Sequence, residues 1–366
     1  MMKNFLLGLS ALFLAIVPPG LAHTAPSSIT FSPLLYPGPV DVQFTSGPSA
    51  ADGPRVFPIN ATTFDWWYFD AVSDDGTQAV TIIFFTSSYI GFSFNPTSAI
   101  DPLNIYVFAN FPNGTSTSFP VPATSVTITT DGNGATGEWT GTGIGFQGAA
   151  DLSTYNVTFD NALLGLSGSI SLASRGPGHY YCGPLEAGLD EQVLSNIGWA
   201  NVMPAADAVV DLTLSGQPLK FNGNGYHDKN WGDTPFTSAL QSWYWGHATF
   251  GDYNIVFFDM VDAAGEEKVG GYALLNGEVI GSTCTTGMVI RPVGTPYPPT
   301  QSTALPTQLT INMTLNDGSS LSAVVTKVAT QIDIKLYTRW IGTIKGTVHG
   351  VTQSGSSVWE QFAVNP

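Results

Sequence analysis

The sequence predicts an all-β chain folded as two tandem sandwich or barrel domains with very little helix. Three observations lead there. Alternating or β-branched runs recur along the whole chain, the pattern of strands with one buried face. Turn dipeptides punctuate them at Asp131-Gly132, Asn276-Gly277 and Asp317-Gly318, which hairpin turns favour. Periodic helical segments are missing, apart from 189–199, which has the composition of a short helix. The 366 residues exceed one ordinary domain and suffice for two.

Taken in order, strands are expected at 79–86, 104–110, 126–130, 155–159, 169–172 and 209–214. A second series follows at 242–250, 254–259, 272–275, 309–315, 321–328, 332–337 and 342–349. The domain boundary falls near 232–237, after the Gly/Asn-rich stretch 221–225, so that 23–234 form the first domain and 235–366 the second. A Pro/Thr-rich surface connection is expected at 292–306. With helices absent, parallel α/β folds are excluded, and no G-x-G-x-x-G, Walker or G-x-S-x-G pattern occurs.

The N-terminus reads as an address. Lys3 precedes an apolar run, 5–17, broken by Pro18-Pro19-Gly20, and small residues end it at Ala22. This is the layout of a secretory signal peptide, 1–22, in a run too short for a comfortable membrane span. Four acceptor sequons, at Asn60, Asn113, Asn156 and Asn312, suit that route. Cys182 and Cys284 are the only cysteines. In an oxidising compartment they can close one disulfide, worth about 4–5 kcal/mol for a loop of about 100 residues; two buried thiols are the other reading. Two cysteines make no metal site.

Composition excludes further classes. Hydrophobic residues reach 43% and charged residues only 10%, which argues against disorder. The 27 acidic residues outnumber 11 basic ones, for a net charge of −16. A nucleic-acid backbone is repelled by that field.

Aromatic residues gather in three clusters: Asp65-Trp66-Trp67-Tyr68-Phe69-Asp70, Gly225-Tyr226-His227-Asp228-Lys229-Asn230-Trp231-Gly232, and Ser242-Trp243-Tyr244-Trp245-Gly246-His247. On strands, Trp67 shares a face with Asp65 and Phe69, while Tyr68 joins Trp66 and Asp70. Trp243, Trp245 and His247 share another. Core packing explains any single Trp. Together, interleaved with polar residues that need partners when buried, they point to a cavity. His227 and Asp228 are candidate acid–base groups; a polar plug between domains is the alternative.

These three motifs, in this order and spacing, resemble the hydroxyneurosporene synthase-like (AttH/CrtC-like) proteins, and the secreted, sequon-bearing form resembles their fungal Diels–Alderase and hetero-Diels–Alderase branch. The resemblance implies two lipocalin-like β domains and a cofactor-free hydrophobic pocket between or within them. It implies a pericyclase (a cyclase, isomerase or lyase without redox chemistry) that folds a polyketide or terpenoid-type substrate in an aromatic pocket. Such catalysis is mostly positioning, with a few donors polarising the substrate. By resemblance, pocket roles pass to Trp67 and Tyr68, to His227, Asp228, Asn230 and Trp231, and to Trp245. Of these, His227, Asp228, Asn230 and Tyr68 are the expected catalytic groups. His247 joins as a face-mate of Trp245. Tyr180 and Trp340 join on type, as aromatics beside His179 and Arg339. No cofactor or metal is expected, the partner is a hydrophobic small molecule, and monomer and homodimer stay open. A non-catalytic carrier, an alkene hydratase and a carbohydrate-active sandwich are the competing readings.

Overall fold

The computed structural model describes residues 26–95, 97, 101–334 and 336–366. The expected signal peptide lies outside the described residues. A 15-stranded antiparallel sheet, running in the chain from Ser27–Phe31 to Gln217–Gly232, curls into a half-barrel. A nine-stranded sheet, from Leu240–Phe250 to Val351–Ala363, closes almost fully into a barrel. The sheets change between Gly232 and Leu240, where the one-turn helix Phe236–Ala239 sits. Among the described residues no helix is long and apolar enough to cross a membrane.

The turn dipeptides sit where hairpins need them. Asn276 and Gly277 both take positive φ, 50° and 83°, the pairing that a two-residue type I′ turn requires. Gly132 and Gly318 also take positive φ, at the other two turns. The short helix expected at 189–199 does not form. Gln192–Leu194 and the start of Ile197–Leu214 pair as strands instead, with Asn196 turning the chain at φ 65°. Asn tolerates that region better than most residues. A side chain at Gly198 would overlap the Trp231 ring, so tertiary packing overrides local preference here.

Three large apolar cores follow from strand alternation, beside a small cluster of Val72, Ala79, Ile341 and Val358. Trp67, Phe69, Trp139, Phe146 and Trp231 fill the half-barrel. Tyr244, Phe250, Ile311, Trp340 and Trp359 fill the barrel. The third core lies between the domains and uses their outward faces: Trp66, Tyr68, Tyr226, Trp243, Trp245 and Phe362. Each buried aromatic removes roughly 150–250 Å² from water, a gross gain of about 4–6 kcal/mol.

Covalent and polar ties fix the domains to each other. The Cys182–Cys284 disulfide crosses the boundary and closes 102 residues of sequence separation. Asp70 of the half-barrel accepts from His247 of the barrel at 2.8 Å. Thr81 donates to Gln331 at 2.8 Å and Asn224 to Ser356 at 3.0 Å. The 292–306 connection lies over the barrel, where Tyr297 donates to Asp259.

Candidate active site

Strand register builds a cavity in layers. In the half-barrel, Phe64–Ser73 runs between Gln217–Gly232 and Ala79–Ser87. Trp66 therefore lies opposite Asn230 and Phe85, Tyr68 opposite Asp228 and Ile83, and Asp70 opposite Tyr226 and Thr81. In the barrel, Leu240–Phe250 and Tyr337–Val348 flank Val351–Ala363. Trp245 lies opposite Glu360 and Phe258, Arg339 opposite Glu360, and Phe362 opposite both Trp243 and Tyr337.

These faces line a small, partly open pocket of about 40 Å³, well below the roughly 300–1,000 Å³ of ordinary small-molecule sites, so a substrate enters only as lining side chains move. One layer is aromatic: Trp66, Phe85, Trp243, Tyr337 and Phe362, joined by Phe92 and Phe236. The next is polar: Asp228, Tyr68, Glu360 and Arg339, beside Trp245. Behind it the Asp70–His247 pair closes the rear, with the imidazole stacked on Tyr226 at 4.4 Å.

Asp228 is the chemical focus. It is 4% exposed. Tyr226 O–H and Trp199 N–H both donate to its Oδ2, each at 2.7 Å. Burial pushes its pKa up to about 7; the two donors and His227 only partly offset this. An Asp that is half protonated near neutrality can deliver a proton. Across the cavity, Glu360 accepts from Tyr337 O–H at 2.8 Å and from Arg339 Nε at 3.4 Å, both on Oε2. Burial raises this carboxyl too, with Arg339 and Tyr337 opposing. The Arg339 guanidinium, 1% exposed, also donates to Gln331 at 3.0 Å and packs over the Tyr68 ring at 5.1 Å. Tyr68 donates to Asp70 at 2.7 Å, and burial drives its hydroxyl well above the ordinary tyrosine range. The Trp243 N–H is buried in the cavity wall without a protein acceptor.

Of the residues expected from sequence, Tyr68, Asp228, Asn230 and Trp245 line this cavity. Asn230 donates to Gly198 O at 3.1 Å. The others do not reach it. Trp67 faces the half-barrel core and donates to Asp52 O at 2.8 Å. Trp231 faces the same core and donates to Gln43 O at 2.7 Å. His227 lies between them in the alternation. Its Nε2 is 3.1 Å from Asp52, its Nδ1 is 2.9 Å from Tyr68 O, and its ring stacks on Phe69 at 3.7 Å. Lys229 pairs with Asp65 at 2.7 Å in that interior. Tyr180 belongs to the half-barrel core. Trp340 points into the barrel, 4.2 Å from Trp359. His247 sits one layer behind the cavity rather than on its wall.

Alternation explains these differences. Consecutive residues face opposite sides, so neighbours of the lining residues pack the cores. Trp66 and Trp243 were legible as face-mates of Tyr68 and Trp245. Tyr337, Arg339, Glu360 and Phe362 come from strands with no aromatic motif, and only register reveals them.

A family model described as Diels-Alderase-like matches residues 37–285. The chain belongs to the Diels-Alderase-like family. It is 34% identical to the quinolone epoxide rearrangement protein penF of Penicillium thymicola over 348 residues, 92% of this chain and 95% of that protein. It is 33% identical to the quinolone epoxide rearrangement protein asqO of Emericella nidulans, covering 90% and 91% of the two chains. The Diels-Alderase cheD of Chaetomium globosum is 29% identical over 52% of this chain and 44% of its own length. In fold the chain is similar to the crystal structure of CghA with Sch210972, with a TM-score of 0.75, 18% identity and coverage of 93% and 99%. That likeness agrees with the expected two lipocalin-like β domains. The relatives agree with the expected enzyme class, a secondary-metabolite cyclase or isomerase without redox chemistry.

Proposed function

We propose that this enzyme rearranges an epoxide on a flat, hydrophobic quinolone-type metabolite, with Asp228 as general acid and no added cofactor. The observation that carries the reading is the protonatable Asp228 carboxyl in a polar layer beneath an aromatic one, in a pocket lined by both domains. The aromatic layer holds the ring system, which positions the reacting carbons. The polar layer meets the epoxide oxygen. Protonation there makes the oxygen a leaving group on carbon, and burial keeps water from intercepting the cation. The two relatives that this chain covers over nine-tenths of its length are named for epoxide rearrangement. A cycloaddition needs no proton donor, so the acid favours the rearrangement over the Diels–Alder reading. A lipocalin-type carrier would use the barrel lumen, which Trp340, Trp359 and their neighbours fill.

The expected secretory route fits the same molecule. The Cys182–Cys284 disulfide suits an oxidising compartment. Asn113 and Asn312 are exposed for glycan attachment, whereas Asn60 and Asn156 are half-buried.

The test is incubation of the purified enzyme with a quinolone epoxide in buffer alone, followed by chiral chromatography and mass spectrometry. A single stereoisomer of unchanged mass is expected. Recovery of the epoxide, with conversion instead of a polyene panel to cycloadducts, would replace this reading with the Diels–Alder one.

A further inference from the structure

We propose that Glu360 is the base that completes the rearrangement, facing Asp228 across the cavity as the second member of an acid–base pair. The inference rests on the epoxide reading above and names a residue outside the three aromatic motifs.

Geometry carries it. The two carboxyls come from different domains and line one cavity. Each commits one oxygen to the protein: Asp228 Oδ2 takes Tyr226 and Trp199, and Glu360 Oε2 takes Tyr337 and Arg339. Neither Asp228 Oδ1 nor Glu360 Oε1 receives those bonds, so each carboxyl keeps one oxygen for a ligand. Their settings differ in charge. Asp228 meets neutral donors on its own strand and on Ile197–Leu214, with His227 and Glu360 acting at longer range. Glu360 meets a guanidinium that stays cationic at any working pH, with Tyr337 beside it and Asp70 behind. A neutral Glu360 would leave Arg339 without its nearest anion, which burial penalises. Two carboxyls whose surroundings differ in this way divide into an acid and a base.

The step balances without a co-reactant. Asp228 gives its proton to the epoxide oxygen as one C–O bond breaks. The electron pair of a C–H bond on a carbon next to the cationic one becomes a new C=C bond, and Glu360 takes the released proton. The product is an isomer of the epoxide. Solvent returns the proton from Glu360 to Asp228 between turnovers.

Glu360→Gln keeps an acceptor for Tyr337 and Arg339 and removes the base. With a quinolone epoxide, it is expected to slow isomer formation at least tenfold and to divert product to the water adduct, because opening outruns proton removal. Asp228→Asn is expected to leave the epoxide unopened. An unchanged rate and product ratio in Glu360→Gln would overturn the assignment. Infrared spectroscopy of the free enzyme at pH 6 tests the charge division without any substrate. Asp259, which burial also raises to about 7, contributes to the protonated-carboxyl band in every variant; a component of that band should be lost in Asp228→Asn and retained in Glu360→Gln. The reverse pattern sinks the pair even if turnover is seen, whereas the expected pattern without turnover counts against the epoxide substrate alone.

Discussion

Asp228→Asn removes one proton and almost no volume, so its consequences follow from electrostatics. Holding this carboxyl at about 7 instead of 3.8 costs the ionised form about 4 kcal/mol at about 1.4 kcal/mol per pH unit. The acid form is the competent one. In the wild type, kcat/KM should decline on the acid side as Glu360 takes up a proton, and should fall about tenfold per pH unit above 7 as Asp228 loses its own. The variant should lose roughly 10²–10⁴-fold at pH 6 and show no such limb. Stability moves the other way. Because the folded-state pKa is raised, Asp228 holds more of its proton in the native protein than in the unfolded chain between pH 3.8 and about 7. Wild-type stability therefore falls as pH rises through that window. The variant escapes this loss, so its advantage should grow from near zero at pH 4 to a plateau above pH 7. Single-turnover kinetics on a quinolone epoxide and urea unfolding from pH 4 to 9 measure the two limbs. A wild-type rate that is level from pH 6 to 9, or a stability difference that does not change with pH, would refute the assignment of a buried, protonated acid.

Other perturbations separate core from cavity. Trp231→Ala opens a hole in the half-barrel and orphans Gln43 O, so it should cost about 3–5 kcal/mol and reduce soluble yield; a folded variant with only weakened substrate binding would contradict its place in the core. Trp243→Ala should cost less stability than Trp231→Ala, because its ring borders the pocket as well as the interdomain core, while kcat/KM falls and larger epoxides are accepted, as competition assays can show. Replacing both cysteines by alanine should destabilise the protein by about 4–5 kcal/mol on the loop-entropy estimate; calorimetry showing equal transitions would mean that the interdomain core alone holds the two sheets together. His247→Ala leaves Asp70 buried with Tyr68 as its remaining donor, so it should destabilise the protein by about 1–3 kcal/mol, and should shift Tyr68, detectable as a lowered kcat at full substrate saturation.

Much of the fold was legible because its signals are local. Asn276-Gly277 marks a turn through two positive φ values, and alternation marks strands wherever one face meets water. The 189–199 stretch misled because its conformation depends on Trp231, some 30 residues away, lying where a Gly198 side chain would be. The site was half legible for a related reason. Motifs disclosed which strands matter, and parity grouped Tyr68 with Trp66 and Trp245 with Trp243. Parity alone does not tell which face is the interior of a domain and which is the seam between two. Both faces of 64–73 are buried, so burial patterning in the sequence carried no contrast. His227 and Trp231 drew attention by residue type and lay on the other side. Arg339 and Glu360 meet only through strand pairing, which no local spacing encodes.

That double burial has an evolutionary consequence. Along 64–70 and 226–231, alternate positions face different surroundings: one set packs the half-barrel core, the other turns to the seam that holds the pocket. Substrate range can therefore drift without eroding the scaffold, provided that change skips every second codon. A mutant library confined to positions 66, 83, 85, 243 and 362 samples new chamber shapes on an intact framework. A contiguous cassette over the same strands would spend half its diversity on unfolded clones.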